Sequence, residues 1–341
     1  MPGTRGAPAT RPVDGPLRAL PARLAGLGTL AGFAAVVLAL SLLLPESFPT
    51  ARNLLNVARQ VSMLGTVAFA MTIVMAMGDF DLSVGSMASL AGVVAASLLA
   101  AGEPIPVALG AALATGLAGG AVNGLLVGYA GLLPFVATLG TLTMFAGAAF
   151  VASDGKTIFG RAIPEAFGGF ARTGVPLDAV GLPGLALPSL ALVAAGTGAA
   201  AWFLLERTAT GRHLYVVGDN VEAAALAGIR VARLRLLAFA LSGLGAAVAG
   251  LMLASRVASA NPVQGAGLML DAIACVFLGM TLDRAGRPRV AGTLLGVALL
   301  GTLDNGLTQL GVDSYVREIL VGAVLIAAVA LSGHGRRSAT R

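Results

Sequence analysis

The sequence predicts an all-α fold, a polytopic bundle of about ten membrane-spanning helices with both termini in the cytoplasm. Three observations predict it. Of the 341 residues, 57% are hydrophobic and only 11% charged, and the mean hydropathy is +0.89. An average soluble domain is roughly 25% charged, and so few polar groups could not cover a water-facing exterior. Apolar runs long enough to cross a bilayer also recur along the chain. The arginines between them, finally, collect where one face of a membrane would gather them.

Residues 1–23, rich in Pro, Gly, Ala and Arg, read as a disordered cytoplasmic tail. The run that follows lacks a small-residue cleavage site at its end, so it reads as an uncleaved first helix. Apolar runs fall at 24–44, 54–77, 86–101, 105–127, 134–152, 188–205, 236–254, 268–280, 290–307 and 319–331. The runs 268–280 and 319–331 are short against the ~20 residues that a full span needs. Either flanking residues extend them or one is re-entrant. Together these runs make a single transmembrane domain over 24–331, followed by a short cytoplasmic tail, 332–341. The longest intervening segments, 153–187 and 206–235, are too small to be soluble domains.

Basic residues orient the bundle. They cluster as Arg5, Arg11, Arg18 and Arg23; as Arg207, Arg212, Arg230, Arg233 and Arg235; as Arg284, Arg287 and Arg289; and as Arg336, Arg337 and Arg341. With ten spans all of these clusters lie on one side, the cytoplasm. The net charge of +6 is therefore topological and implies no nucleic-acid partner. Segment 153–187 carries mixed charge and lies opposite.

Gly116, Gly120, Gly124 and Gly128 recur every four residues along one span. They place bare backbone on one helix face, where a neighbouring helix can approach closely. Gly292 and Gly296 repeat the pattern once.

Several chemistries are excluded. Asp154, Gly155, Lys156 and Thr157 resemble the end of a phosphate-binding loop, but Phe150 stands where that motif needs glycine. This chain is therefore expected neither to hydrolyse ATP nor to be an enzyme. His213 and His334 lie far apart in basic segments, so no metal site is expected. The single cysteine, Cys275, sits in an apolar run and reads as an inert buried thiol.

Candidate functional residues fall in a few places. Asp79, Asp81 and Ser83 join the second and third runs, where carboxylates are costly unless they meet water, a partner or a helix end. Asp81 with Ser83 can cap the third helix or line a polar path, since a break between helices sets polar backbone beside a cavity. Asp271 can cap the short eighth run, and Asp304 with Asn305 lies near the outer end of the ninth. Asn123 reads as an interhelical hydrogen bonder. In the basic segment 206–235, residues 220–227 read as a short helix. Asn220 is its N-cap, Glu222 suits its positive start, and Gly228 stops it. Such a helix on the cytoplasmic face is a docking element.

These stretches resemble the permease subunits of monosaccharide ABC importers of the ribose/arabinose/xylose type. The likeness covers about residues 53–331. It rests on Gly78–Ser86, similar to the family's Gly-x-x-Asp-Leu-Ser-Val-Gly-Ser signature; on 210–229; and on 270–274 taken with Asn305, Gly306 and Leu307. The resemblance implies a permease domain in a bacterial inner membrane, dimeric with an identical chain or a paralogous permease. It implies a cytoplasmic ATP-binding-cassette ATPase docked on the coupling helix (Gly218, Asn220, Glu222, Ala223, Ala224 and Gly228). A periplasmic or extracellular sugar-binding protein would deliver the cargo. No cofactor is implied in this chain, ATP being bound by the partner. Translocation-path candidates are Asp79, Asp81, Ser83, Asp271 and Asn305. The sequence departs from the family at Asp219, where relatives often have glycine, and in the arginine-rich loop 280–288. The rival reading is an ion- or proton-coupled secondary carrier using the intramembrane carboxylates as relays.

Overall fold

The computed structural model describes residues 20–283, 285–313, 315–316, 318–320 and 322–323, with side-chain surroundings for all of these except 20–28 and 180. The expected tail 1–23 lies outside them up to residue 19. Arg284, the tail 332–341 with Arg336, Arg337, Arg341 and His334, and all but four positions of the expected run 319–331 also lie outside.

The described chain is helical from end to end, as expected. It runs α1 (Leu20–Leu43), α2 (Ala51–Met75), α3 (Val84–Ala100), α4 (Ile105–Gly128) and α5 (Pro134–Ser153). After β1 (Ile158–Phe159), α6 (Glu165–Phe170), β2 (Gly174–Pro176) and β3 (Ala186–Pro188) come α7 (Ser189–Trp202), α8 (Ala209–Asp219) and α9 (Val221–Leu226). The rest comprises α10 (Val231–Val257), β4 (Ser259–Ala260), α11 (Leu268–Met280) and α12 (Val290–Gln309). Among the described residues six helices are long and apolar enough to cross a membrane: α2, α4, α5, α7 with its π-turn extension to Arg207, α10 and α12. α1 from Thr29 onward, α3 and α11 are shorter apolar helices.

Two helices form the centre. α2 starts under the side chain of Thr50, whose Oγ1 accepts the Asn53 N–H at 3.1 Å, a standard N-cap. From Ser62 to Met75 it is buried almost all round, against α7, α10, α11 and α12. A helix that is apolar on every face belongs inside a bundle. α10 is the other centre and packs along α4. All four ladder glycines of α4 face it: Gly116 meets Gly243 and Ala247, Gly120 meets Phe239, Gly124 meets Leu236 and Gly128 meets Ala232. A Cβ at any of them would run into α10 backbone. Gly292 and Gly296 set α12 against Gly279 and Cys275 of α11 in the same way. Cys275 is fully buried there and free.

The segment 153–187, read as a loop, has structure of its own. β1 pairs antiparallel with β4, β2 with β3, and α6 is pinned where Ser255 Oγ donates to the Phe167 carbonyl at 2.6 Å. The basic segment also holds one helix more than expected, α8 ahead of α9.

α3 and α11 begin deep in the bundle. Depth can be read along α10 at about 1.5 Å per residue. Asp79 pairs with Arg235 at the foot of α10, and Asp81 bonds Ser242, two turns or about 10 Å further along. The link after α2 therefore climbs inward before α3 starts. From the other end, the segment after β4 sinks: Gly265 N–H donates to Ser89 Oγ at 2.8 Å, and the Gly85 and Gly265 backbones touch. Ala88 in that turn lies against Gly250, about 10 Å short of the C-terminal end of α10. Thus α11 starts inside the bundle. Its 13 residues reach only about 20 Å, short of the ~30 Å hydrocarbon core.

Candidate functional site

The break before α3 is the most tightly bonded polar feature of the described chain. Asp81 is 1% exposed. Its Oδ1 accepts from the Ser83 N–H at 3.0 Å and the Ser83 hydroxyl at 2.6 Å, and its Oδ2 from the Ser242 hydroxyl at 2.8 Å. Asn123, fully buried on α4, donates to Ser83 Oγ at 2.8 Å and accepts from Thr141 Oγ1 of α5 at 2.6 Å. Asn123 is thus the interhelical hydrogen bonder its sequence setting implied. The expected cap is different in detail. Ser83 is itself the N-cap position of α3 and makes no side-chain cap bond. Asp81 instead folds the link back on itself and joins α3 to α4, α5 and α10.

Asp79 is also spoken for. Arg235 Nε lies 2.9 Å from its Oδ2, and the pair is largely buried. An isolated buried carboxylate is expensive, and a charge-assisted bond to a guanidinium offsets that cost.

The late candidates sit apart from this network. Asn305 Oδ1 accepts from Asn53 Nδ2 at 3.0 Å and from Gln309 Nε2 at 2.8 Å, which ties the start of α2 to the end of α12. Asp271 lies in the first turn of α11, behind the N-cap Gly267, and makes no cap bond. It faces the charge of Asp304, which is itself hydrogen-bonded by Gln60. The five path candidates therefore divide into the Asp79–Asp81–Ser83 break, an α2–α12 clasp at Asn305, and Asp271 at the sunken start of α11.

The coupling candidates form one unit. Asn220 Oδ1 accepts the Ala223 N–H at 2.9 Å, so it caps α9 as its sequence suggests. Glu222 lies in the first turn. Gly228 has φ 79°, a left-handed conformation that glycine adopts without strain and that ends the helix. Ala224 is buried, whereas Ala223 is exposed and Leu226 is 90% exposed. Gly218, at the end of α8, lies directly on the backbone of Ala76 and Met77, where α2 ends and the break begins. α8 is also tied to the loop between α11 and α12. Tyr215 Oη donates to the Pro288 carbonyl at 2.8 Å, and Arg287 Nη2 lies 2.6 Å from Asp219 Oδ2. Burial first, and then the charge of Glu206, push the Tyr215 hydroxyl up to about 12 against the opposing pull of Arg289. The tyrosine therefore remains a donor throughout the physiological range.

A family model for the permease component of the branched-chain amino acid transport system matches residues 53–329. The chain belongs to this permease family. The ribose import permease of Bacillus subtilis strain 168 is 39% identical to it over 89% of this chain and 92% of its own length. The D-allose transport system permease of Escherichia coli K12 is 34% identical, over 89% and 90%. The L-arabinose transport system permease of the same organism is 33% identical, over 89% and 88%. No solved structure matches. The chain is thus a multi-pass membrane permease, and the likeness to sugar permeases read from its motifs is borne out.

Sequence reading passed over Arg59 and Gln60, which lay inside a run counted as apolar. The available signal was a charge nine residues into a span, since such residues are costly and tend to be functional. It also missed α8, although its buried residues Gly211, Leu214 and Val217 recur every three positions along one face.

Proposed function

We propose that this permease is the membrane subunit of an ATP-driven importer in a bacterial inner membrane, carrying a monosaccharide of the pentose or hexose class into the cytoplasm. The observation that carries the mechanism is the contact of Gly218 with Ala76 and Met77. It sets the short cytoplasmic helix pair directly under the helix break. The sugar class follows the named cargoes of the relatives, ribose, allose and arabinose.

In this reading the bundle has ten spans with both termini cytoplasmic, residues 24–331 form the permease domain, and 1–23 and 332–341 are tails. A separate ATP-binding-cassette ATPase docks on α9, with Leu226, Ala223 and Glu222 at its surface. A sugar-binding protein delivers cargo at the outer face, and a second permease, identical or paralogous, completes the path. Closure of the ATPases moves α8 and α9 as a unit. Gly218 passes that motion to the foot of α2, and the Tyr215 and Arg287 contacts pass it to the loop between α11 and α12. The starts of α3 and α11 then shift, opening a path inward. Asp79, Asp81, Ser83 and Asn305 hold the helices that line the path, and Asp271 faces it. The ladder glycines of α4 keep α4 and α10 moving as one body.

Reconstitution tests this. Vesicles containing the permease, its ATPase and a binding protein are expected to accumulate labelled ribose, arabinose or allose only with ATP. Uptake by the permease alone, driven by an ion or proton gradient, would replace the proposal with a secondary carrier.

A further inference from the structure

Resting on the importer reading, we infer that the outer half of the bundle holds a polar vestibule that binds the sugar transiently through Arg59, Gln60, Asp271 and Asp304, with Arg256 at its mouth. These residues come from four helices, α2, α10, α11 and α12. The register places them together. Along α2 and α12, Thr72 bonds Thr293, Val61 packs on Gly301, Gln60 bonds Asp304, and Asn53 bonds Asn305. Cys275 of α11 meets Gly296, so Asp271, one turn earlier, lies about level with Leu300, one turn inward of Asp304. Asp304 acts electrostatically on both Asp271 and Arg256, and Arg59 acts on Arg256. Arg59 lies about 12 Å along α2 from its outer end, well inside the ~30 Å hydrocarbon thickness.

Two groups in this set are poorly satisfied. The Nε of Arg59 is buried with no hydrogen-bond partner among the described residues. Asp271, half-buried in the first turn of α11, also has no hydrogen bond or ion pair there. Leaving a guanidinium donor and a carboxylate unmet within a bundle costs stability. Both belong to the charged set around Asp304, Asp271 directly and Arg59 by way of Arg256, and the set encloses the proposed vestibule. A ligand that fills it must therefore offer both acceptors and donors. The set holds two guanidinium groups and two carboxylates, with the exposed Glu318 also acting on Asp271, so neither sign dominates strongly and an ion gains little. A neutral polyhydroxylated molecule fits: each hydroxyl accepts from a guanidinium or the Gln60 amide and donates to a carboxylate. The sunken start of α11 adds the positive end of a helix beside it, a pattern by which broken helices build midplane sites.

Two measurements test this. In the reconstituted importer, Arg59→Gln and Asp271→Asn are each expected to raise KM for ribose, arabinose or allose uptake roughly tenfold, the loss of about one charged hydrogen bond, with Arg59→Lys recovering part of it. Wild-type KM in both variants, with the wild-type chain importing, overturns the site while leaving the importer reading intact. The second measurement needs no transport. In a Cys275→Ala background, Gln60→Cys is expected to react with a membrane-impermeant thiol reagent added outside, and ribose, arabinose or allose is expected to slow that reaction several-fold relative to equiosmolar betaine. No labelling, or labelling that none of the sugars slows, overturns the vestibule. Protection in a chain that fails to import supports the vestibule and sinks the ATP-driven reading instead.

Discussion

Asp81 shows how much one residue can hold. Its carboxylate takes bonds from the link itself and from α10, and through Ser83 and Asn123 it reaches α4 and α5. Asp81→Ala leaves the Ser83 N–H and the hydroxyl protons of Ser83 and Ser242 without an acceptor in a buried site, at about 1–3 kcal/mol for each group left without a partner. The detergent-solubilised variant is therefore expected to melt well below wild type. Ser242→Ala removes one partner, leaves Asp81 other donors, and should shift the melting temperature much less; equal shifts would mean the network is incidental. Tyr215 carries a pH signature. Its folded pKa, about 12, stands above the ordinary phenol value of 10.0. The stability this contributes is present in full below pH ~10 and is lost as pH rises through about 12. The difference absorbance between the chain and Tyr215→Phe should show phenolate only as pH approaches 12; its appearance near 10 would mean the hydroxyl is solvated. Asp81 could be singled out by type and setting, but its partners could not, and Tyr215 was passed over altogether. Asp81 reads as a cap because Asp-x-Ser before an apolar run is a local pattern, whereas Ser242 lies 161 residues away.

At the scale of the element, the glycine ladder was the most legible feature. Four glycines at a spacing of four mark a helix face by geometry alone, and the face they mark is the one α10 occupies. Gly124→Ala pushes a methyl group into the backbone at Leu236, and overpacking of this kind costs about 1–3 kcal/mol. Gly110 lies on the same helix with open space around it, so Gly110→Ala should gain helix propensity, up to about 1 kcal/mol. Thermal melting of the two variants is expected to move in opposite directions, and a shared direction would contradict the packing. The sunken starts of α3 and α11 were far less legible. Hydropathy reports what a segment prefers to touch and carries no depth. Only contacts across the bundle, Asp81 to Ser242 and Gly265 to Ser89, fix where these helices begin. The outer segment 153–187 was obscured for a related reason, since β1 forms only by pairing with β4, a hundred residues on.

Across the whole molecule, the contacts of α8 form a single linkage. α8 rests on the foot of α2 through Gly218, and it holds the α11–α12 loop through Tyr215 and through Asp219 with Arg287. Asp219 and the arginines of that loop are the positions where the sequence reading expected a departure from the family pattern, so that pattern alone gave them no role. The structure gives them one: an acid at the end of α8 and a base in the facing loop form one contact. The pair is half-exposed, with side-chain exposures of 42% and 53%, and a surface ion pair contributes about 0–1 kcal/mol. Breaking it should therefore scarcely change stability. If it also transmits motion, breaking it should change transport. Asp219→Arg is expected to leave the melting temperature near wild type while lowering ATP-driven uptake several-fold in reconstituted vesicles. Adding Arg287→Asp restores the pair in reverse and should recover most of the uptake. A double variant no better than the single one would show that Asp219 acts through something other than Arg287. Unchanged uptake in the single variant would leave Gly218 and Tyr215 to carry the proposed motion from α8 and α9 to the break before α3.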